Sequence, residues 1–256
     1  MKRLWLPAAI AIAAIALLET GIVHAGHRDA GREEKSSVNI LRLYGPGGPL
    51  GPVQECADKF TEKTGARISI TTGTPPQWIE QAEQNGDVIF EGAEYMLNDF
   101  MQAYPGIVDE ASISGLYARS AAILVRHGNP KGIRTLGDLA KAGTKIIVVT
   151  QEKMEEVYGR VPGIQYNVVK PILTGREAAR NWKTMPELDA WITYESWGHA
   201  LADDTDIIKI PNENRVLRIT PIAMLKRSKN KKLGMEFINF LRSDEAHQIF
   251  QKWGWK

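Results

Sequence analysis

Between Asn39 and Ala103, short apolar runs alternate with amphipathic stretches at helical spacing, and this alternation limits the fold more than any other feature of the chain. "NILRLY", "ARISITTG" and "DVIFEG" read as strands. Residues 52–64, with Val53, Cys56, Ala57 and Phe60 on one stripe, read as a helix, as do 75–84 and 93–103. A β-α-β-α-β series calls for a parallel sheet covered by helices. "RSAAILVRHGNP" then reads as an apolar strand ending in a Gly-Asn-Pro turn, and a second α/β series begins. It predicts helices over 135–142, 152–158, 174–183 and the segment after "LDAWITY". It predicts strands at "TKIIVVT", "IQYNVV", "LDAWITY", "DIIKIP" and "RVLRITPIAMLKRS". Two helices, 231–241 and 244–253, complete the pattern. The fold class is therefore α/β, and 256 residues accommodate one large or two small α/β domains.

The first 25 residues are of another kind. Lys2 and Arg3 precede the apolar run "LWLPAAIAIAAIALL", and Val23-His24-Ala25 is a small-x-Ala cleavage signal before Gly26. Residues 1–25 read as a secretory signal peptide, cleaved after Ala25. The run is shorter than the roughly 20 residues of a spanning helix, so no membrane span is expected after cleavage. No Cys stands at the cleavage point to carry a lipid. Residues 26–37, "GHRDAGREEKSS", are polar and read as a flexible lead-in. The expected location is the periplasm.

Net charge is +2, with both signs mixed along the chain, and no basic block argues for nucleic acid. Cys56 is the only cysteine, so no internal disulfide can form, and its helical setting points to a buried thiol. His27, His127, His199 and His247 are scattered, without a His-x-x-x-His pair or a Gly-x-Ser-x-Gly elbow. Asp203-Asp204-Thr205-Asp206 lacks the spaced ligands of a calcium loop and reads as a solvated turn. Neither an enzyme nor a metal or cofactor site is expected.

In open α/β sheets ligands bind beyond the carboxyl ends of strands, where helices begin. Four such places carry suggestive residues. "YGPGGPLGP" follows the first strand and offers the amides of Gly45, Gly47 and Gly48, either as an anion cradle or as a stiff turn. Thr74-Pro75-Pro76-Gln77-Trp78 is a capping box with proline, at a helix start whose free N–H groups favour negative charge. Thr174-Gly175-Arg176-Glu177 repeats the Thr-x-x-Glu pattern and adds a forked donor in Arg176. Arg119 stands just before "SAAILV", as a ligand clamp or a salt-bridge partner. Glu195 and Trp197 follow the end of a strand and could reach the same cleft. Trp191 reads as core, and Trp253 and Trp255 as docking residues for the last helix.

Taken together, "LRLYGPGGP", "DVIFEGAEYMLNDF", "LYARSAAILVRHGNPKGIRTLGDL", "PELDAWITYESW" and "FINFLRSDEAHQIFQKWGW" resemble the accessory colonization factor group of extracytoplasmic solute-binding proteins, which includes secreted major antigens. The resemblance implies the type II periplasmic binding-protein fold, related to molybdate- and sulfate-binding proteins. Two lobes, 39–120 with 220–256 and 121–219, would be joined by crossing strands at "SAAILVRHG" and "RITPIAMLK". It implies a cleft for oxyanions, carboxylates or phosphate esters, marked by Gly45, Gly47, Gly48, Trp78, Arg119, Thr174 and Gly175. The implied partners are a small-molecule ligand and an ABC permease. A secreted adhesion factor, meeting a host surface or itself, is the alternative. Three departures bear on the ligand. Gln77 replaces a usual Lys, Ala93 replaces a Ser, and "VTQEKMEE" replaces a longer Gly-rich stretch. The last change brings Glu152, Glu155 and Glu156 to a helix start, where they would repel an anion.

Overall fold

The computed structural model describes residues 40–256, so the signal peptide and lead-in expected over 1–37 lie outside the described residues. Among those described, no helix is long and apolar enough to cross a membrane. The first α/β series forms as read. Its strands are β1 (Ile40–Gly45), β2 (Arg67–Thr72) and β3 (Val88–Phe90), and its helices are α1 (Leu50–Thr64), α2 (Pro75–Asn85) and α3 (Glu94–Ala103). β1 pairs in parallel with both β2 and β3. Side chains alternate across β1 as the pleat requires. Leu41 and Leu43 enter a cluster with α1 residues Val53, Cys56 and Phe60, while Tyr44 enters the opposite cluster with Trp78 and Phe100. Cys56 is buried, and burial pushes its thiol up to about 12.

The second series comprises β4 (Ser114–Arg126), β5 (Ile146–Val149), α4 (Glu155–Tyr158), β6 (Val168–Ile172), α5 (Gly175–Thr184), β7 (Ala190–Tyr194), α6 (Glu195–Ala200) and β8 (Thr205–Lys209). β9 (Leu217–Met224), α7 (Lys231–Leu241) and α8 (Asp244–Lys252) follow. The strand order is β2-β1-β3-β9-β4-β7-β5-β6, with β8 also on β4. β5 is parallel to β6 and β7, forming a second parallel patch. The two patches are not one continuous parallel sheet, because β4 and β9 join them by antiparallel pairing. β4 changes partners midway. Ala118, Arg119 and Ser120 pair with β9, whereas Ala121–Val125 pair with β7, and β8 takes the other edge. Arg119 therefore lies at the seam between the two halves.

Residues 253–256 close onto that seam. Lys256 donates its N–H to Ala118 O at 2.7 Å and accepts from Ala118 N at 3.3 Å. Trp255 is buried against Phe250 and donates its indole N–H to Thr220 Oγ1 at 2.8 Å. Trp253 donates to Glu55 Oε2 on α1 at 2.8 Å, so both tryptophans dock as read. Trp191 is core, also as read.

Three elements differ from the reading. Residues 135–142 give only a 3-10 turn, Leu136–Ala140. Asp138 caps its start, accepting from the N–H groups of Arg134 and Thr135, both at 2.9 Å, while Gly137 within it and Gly143 beyond, at φ 83°, disfavour a longer helix. Residues 152–158 split into a 3-10 turn, Thr150–Glu152, and α4, because Lys153 turns left-handed at φ 50°. "IQYNVV" begins as a 3-10 turn, Ile164–Asn167, and extends only from Val168.

The far end of α5 is closed by Arg126. Its guanidinium donates to Trp182 O at 2.7 Å, Met185 O at 2.6 Å and Leu188 O at 2.8 Å, and lies 3.9 Å from the Trp182 ring centroid. The guanidinium thus ties the last turn of α5 to the segment that follows it, where Met185 O also accepts from Leu188 N at 3.1 Å.

Candidate functional site

A cleft of about 440 Å³ opens where the loops after β1, β2, β5 and β6 meet. It is lined by Gly47, Gly48, Thr74, Gln77, Arg119, Thr174, Gly175 and Arg176, eight of the ten residues singled out in the sequence. The remaining two are placed elsewhere. Gly45 ends β1 beneath Phe90, where an added Cβ would lie 2.4 Å from Phe90 O, so its role is close packing. Trp78 is buried in the core, with ring centroids 5.6 Å from Tyr44 and 5.7 Å from Phe100. It sits on the inner face of α2, since an apolar ring one turn into an amphipathic helix faces the sheet.

Arg119 is the centre of the cleft. Only 2% of it is exposed. Its Nε–H donates to Gly92 O at 2.9 Å, and its guanidinium lies 3.7 Å from the Tyr194 ring centroid. Nη1 is buried without a hydrogen-bond partner. The two loop glycines let cations approach the backbone: a Cβ on Gly48 would lie 3.1 Å from Arg119 Nη1, and one on Gly47 would lie 3.2 Å from Arg176 Nε. Arg176 also donates to Thr72 Oγ1 at 2.5 Å, and Arg180 adds a further cation to the wall.

Two helix starts face the same space. At α5, Thr174 Oγ1 accepts from Glu177 N at 3.2 Å. At α2, Gln77 Oε1 accepts from Thr74 N at 2.8 Å, so the Gln77 side chain folds back onto its own helix start as the capping box requires. Trp197 reaches the cleft, as its position after β7 suggested, whereas Glu195 does not line it. Glu195 instead stands among His199, Lys209 and Lys256, at 3.8–3.9 Å.

The acidic run divides. Glu156 pairs with Arg218 at 2.5 Å and Glu155 lies exposed in the first turn of α4. Glu152 alone enters the cleft, 7% exposed. Its carboxyl is held by Thr193 Oγ1 at 2.5 Å and by the Trp197 indole N–H at 3.0 Å. Burial raises its pKa, opposed by the Arg119 charge and by these two hydrogen bonds.

A second cavity, about 360 Å³, adjoins the first and is lined by Tyr95, Met96, Phe100, Tyr104 and Glu91. Burial pushes the Glu91 carboxyl up to about 8, although a backbone hydrogen bond at Gly92 and the Arg119 charge oppose it. Between its ordinary value of 4.5 and about 8, the folded protein keeps a proton that the unfolded chain has lost. The stabilisation is thus complete below 4.5 and is lost as pH rises towards 8. Glu91→Gln should flatten this decline and raise stability at pH 8 by a few kcal/mol. Urea midpoints at pH 5 and pH 8, for both proteins without ligand, check it.

Known proteins share this architecture. Peb3 from Campylobacter jejuni superposes with a TM-score of 0.75 and 28% identity, over 84% of this chain and 99% of that one. PEB3 bound to L-phospholactate superposes with a TM-score of 0.77 and 27% identity, over the same shares. The sulfate-binding protein SubI of Mycobacterium tuberculosis H37Rv shares the fold, with a TM-score of 0.70 and 18% identity over 85% of this chain and 86% of its own. In sequence, the molybdate-binding protein ModA of the same organism is 23% identical over 171 residues, 60% of this chain and 64% of ModA, so the match spans less than two thirds of that relative. Residues 41–256 match the family described as bacterial extracellular solute-binding protein. A two-lobed α/β frame with helix starts and a buried arginine around one cleft is consistent with that match, and the chain belongs to the bacterial extracellular solute-binding protein family.

Proposed function

We propose that this protein is a periplasmic receptor that captures a small anion between lobes 39–120 with 220–256 and 121–219, and delivers it to an ABC-type importer. The observation that carries this reading is Arg119: a buried guanidinium on the cleft wall, fixed on one edge by Gly92 O and on one face by Tyr194, with Nη1 buried and unpartnered beside Gly48. A buried cation with an unused donor calls for an anionic acceptor. The Gly47 and Gly48 loop and the start of α5 add backbone donors, whereas α2 adds only its positive dipole end, since Pro75 and Pro76 carry no N–H and the N–H groups of Thr74 and Gln77 are bonded within the cap. Arg176 and Arg180 can balance a second negative charge. Relatives named for sulfate, molybdate and L-phospholactate support an oxyanion, a carboxylate or a phosphate ester. Closure of the lobes would exclude water and strengthen each of these contacts.

A panel of oxyanions, citrate, phosphate esters and amino acids, each tested by thermal unfolding, decides the matter. Ligand at a hundredfold excess over Kd stabilises the native state by about 2.7 kcal/mol, or roughly 5–10 °C in Tm for a chain of this size. A flat response to every compound at millimolar concentration would sink the transport reading and leave the secreted adhesion factor.

A further inference from the structure

Two carboxylates line the cleft, where an anion receptor should avoid them: Glu177 faces Lys170 at 4.0 Å, but among the described residues Glu152 has no such cation. Its position is nonetheless built. Thr193 and Trp197 each fix one oxygen. Trp197 itself packs on Gly175, where an added Cβ would lie 2.4 Å from the indole. The carboxyl is thereby tied to the start of α5, in the cavity that Arg119 also lines. An indole N–H can only donate, so Glu152 Oε1 acts there as an acceptor. A carboxylate has about four lone-pair sites, and these two contacts leave acceptor capacity unused. Among the described residues no ion pair within 4.0 Å engages Glu152. The cleft thus offers a bound anion a donor set around Arg119 and an acceptor at Glu152.

Resting on the anion-receptor reading, we propose that Glu152 sets specificity: the ligand is an anion that carries its own hydrogen-bond donor, with acidic oxygens on Arg119 and the donor on Glu152. Such a donor is either the proton of the acid group itself, as in hydrogen phosphate, or a neighbouring ammonium. Sulfate and molybdate present only acceptors. Against Glu152 they would set like charges together and leave buried acceptors unpaired. Sites that hydrogen-bond a particular donor reject analogues lacking it by large factors, up to about 10⁴–10⁵ in favourable cases.

Titration calorimetry at pH 8 tests this with matched probes. Hydrogen phosphate is compared with sulfate, and O-phosphoserine with its deaminated counterpart, 3-(phosphonooxy)propionate. At least one donor-bearing probe should bind 100-fold or more tightly than its acceptor-only match, and the pair that separates identifies the donor. In Glu152→Gln, whose amide can donate to an acceptor-only anion, that ratio should shrink at least tenfold, mainly by a gain for the acceptor-only probe. Trp197→Phe, which removes one anchor of the carboxyl without changing charge, should shrink it partway and serves if Glu152→Gln does not fold. Equal binding within both pairs, or a ratio unchanged in the variants, overturns the inference while leaving the anion receptor standing. Failure of every probe, together with a flat response in the thermal panel, takes down both.

Discussion

Arg119→Ala is expected to weaken anion binding by roughly 30-fold or more while leaving a folded protein. The guanidinium is held on one edge and one face, so its free edge is presented without further ordering. Truncating one partner of a buried charged hydrogen bond costs about 2–5 kcal/mol, which spans roughly 30-fold to several thousandfold. Stability without ligand should fall less, by about 1–3 kcal/mol, since the only hydrogen bond removed is the one to Gly92 O. Measuring both quantities separates a binding role from a structural one. Arg119→Lys should restore less than a tenth of the lost affinity. An ammonium cannot stack on Tyr194, hold Gly92 O and present a fixed donor to a ligand together. Equal affinities in wild type and Arg119→Ala would remove this residue from the site.

Arg126→Ala should cause the largest loss of stability on the outer side of the same half, about 2–4 kcal/mol, or roughly 4–16 °C in Tm. Three carbonyls at and beyond the end of α5 accept from one half-buried guanidinium; of these, Met185 O keeps Leu188 N–H at 3.1 Å as a second donor when it is removed. The stacking on Trp182, itself fully buried, is lost as well. Arg126→Lys keeps a charge but cannot serve three acceptors in a fan, so it should recover less than half. The urea midpoint should fall with an unchanged slope. Anion affinity of the folded protein should stay near wild type, because these carbonyls lie at the opposite end of α5 from Thr174 and Gly175.

The helix starts were legible because capping is local. Thr74 with Gln77, and Thr174 with Glu177, bond three residues apart, and that spacing is written in the chain. The parallel patches were legible from the alternation of patterns. The seam was not, since the exchange of partners along β4 depends on β7, β8 and β9, all of them distant in sequence. The role of Glu152 was hidden for a related reason. "TQEKMEE" offers three carboxylates that look alike, and the left-handed turn at Lys153 sends one inward while Glu155 and Glu156 stay outside. Trp78 misled because its neighbours line the cleft, while its own side chain follows the apolar stripe of α2.

The closure of residues 253–256 over β4 has a kinetic side. Lys256 holds Ser120 Oγ at 3.0 Å across a separation of 136 residues, and its backbone is bonded to Ala118. Arg119, between them, therefore lacks its finished surroundings until residue 256 has been made. Contacts at so large a sequence separation are among the slower ones to form. The guanidinium is therefore placed late in folding, and the cleft is complete only once these distant segments have met.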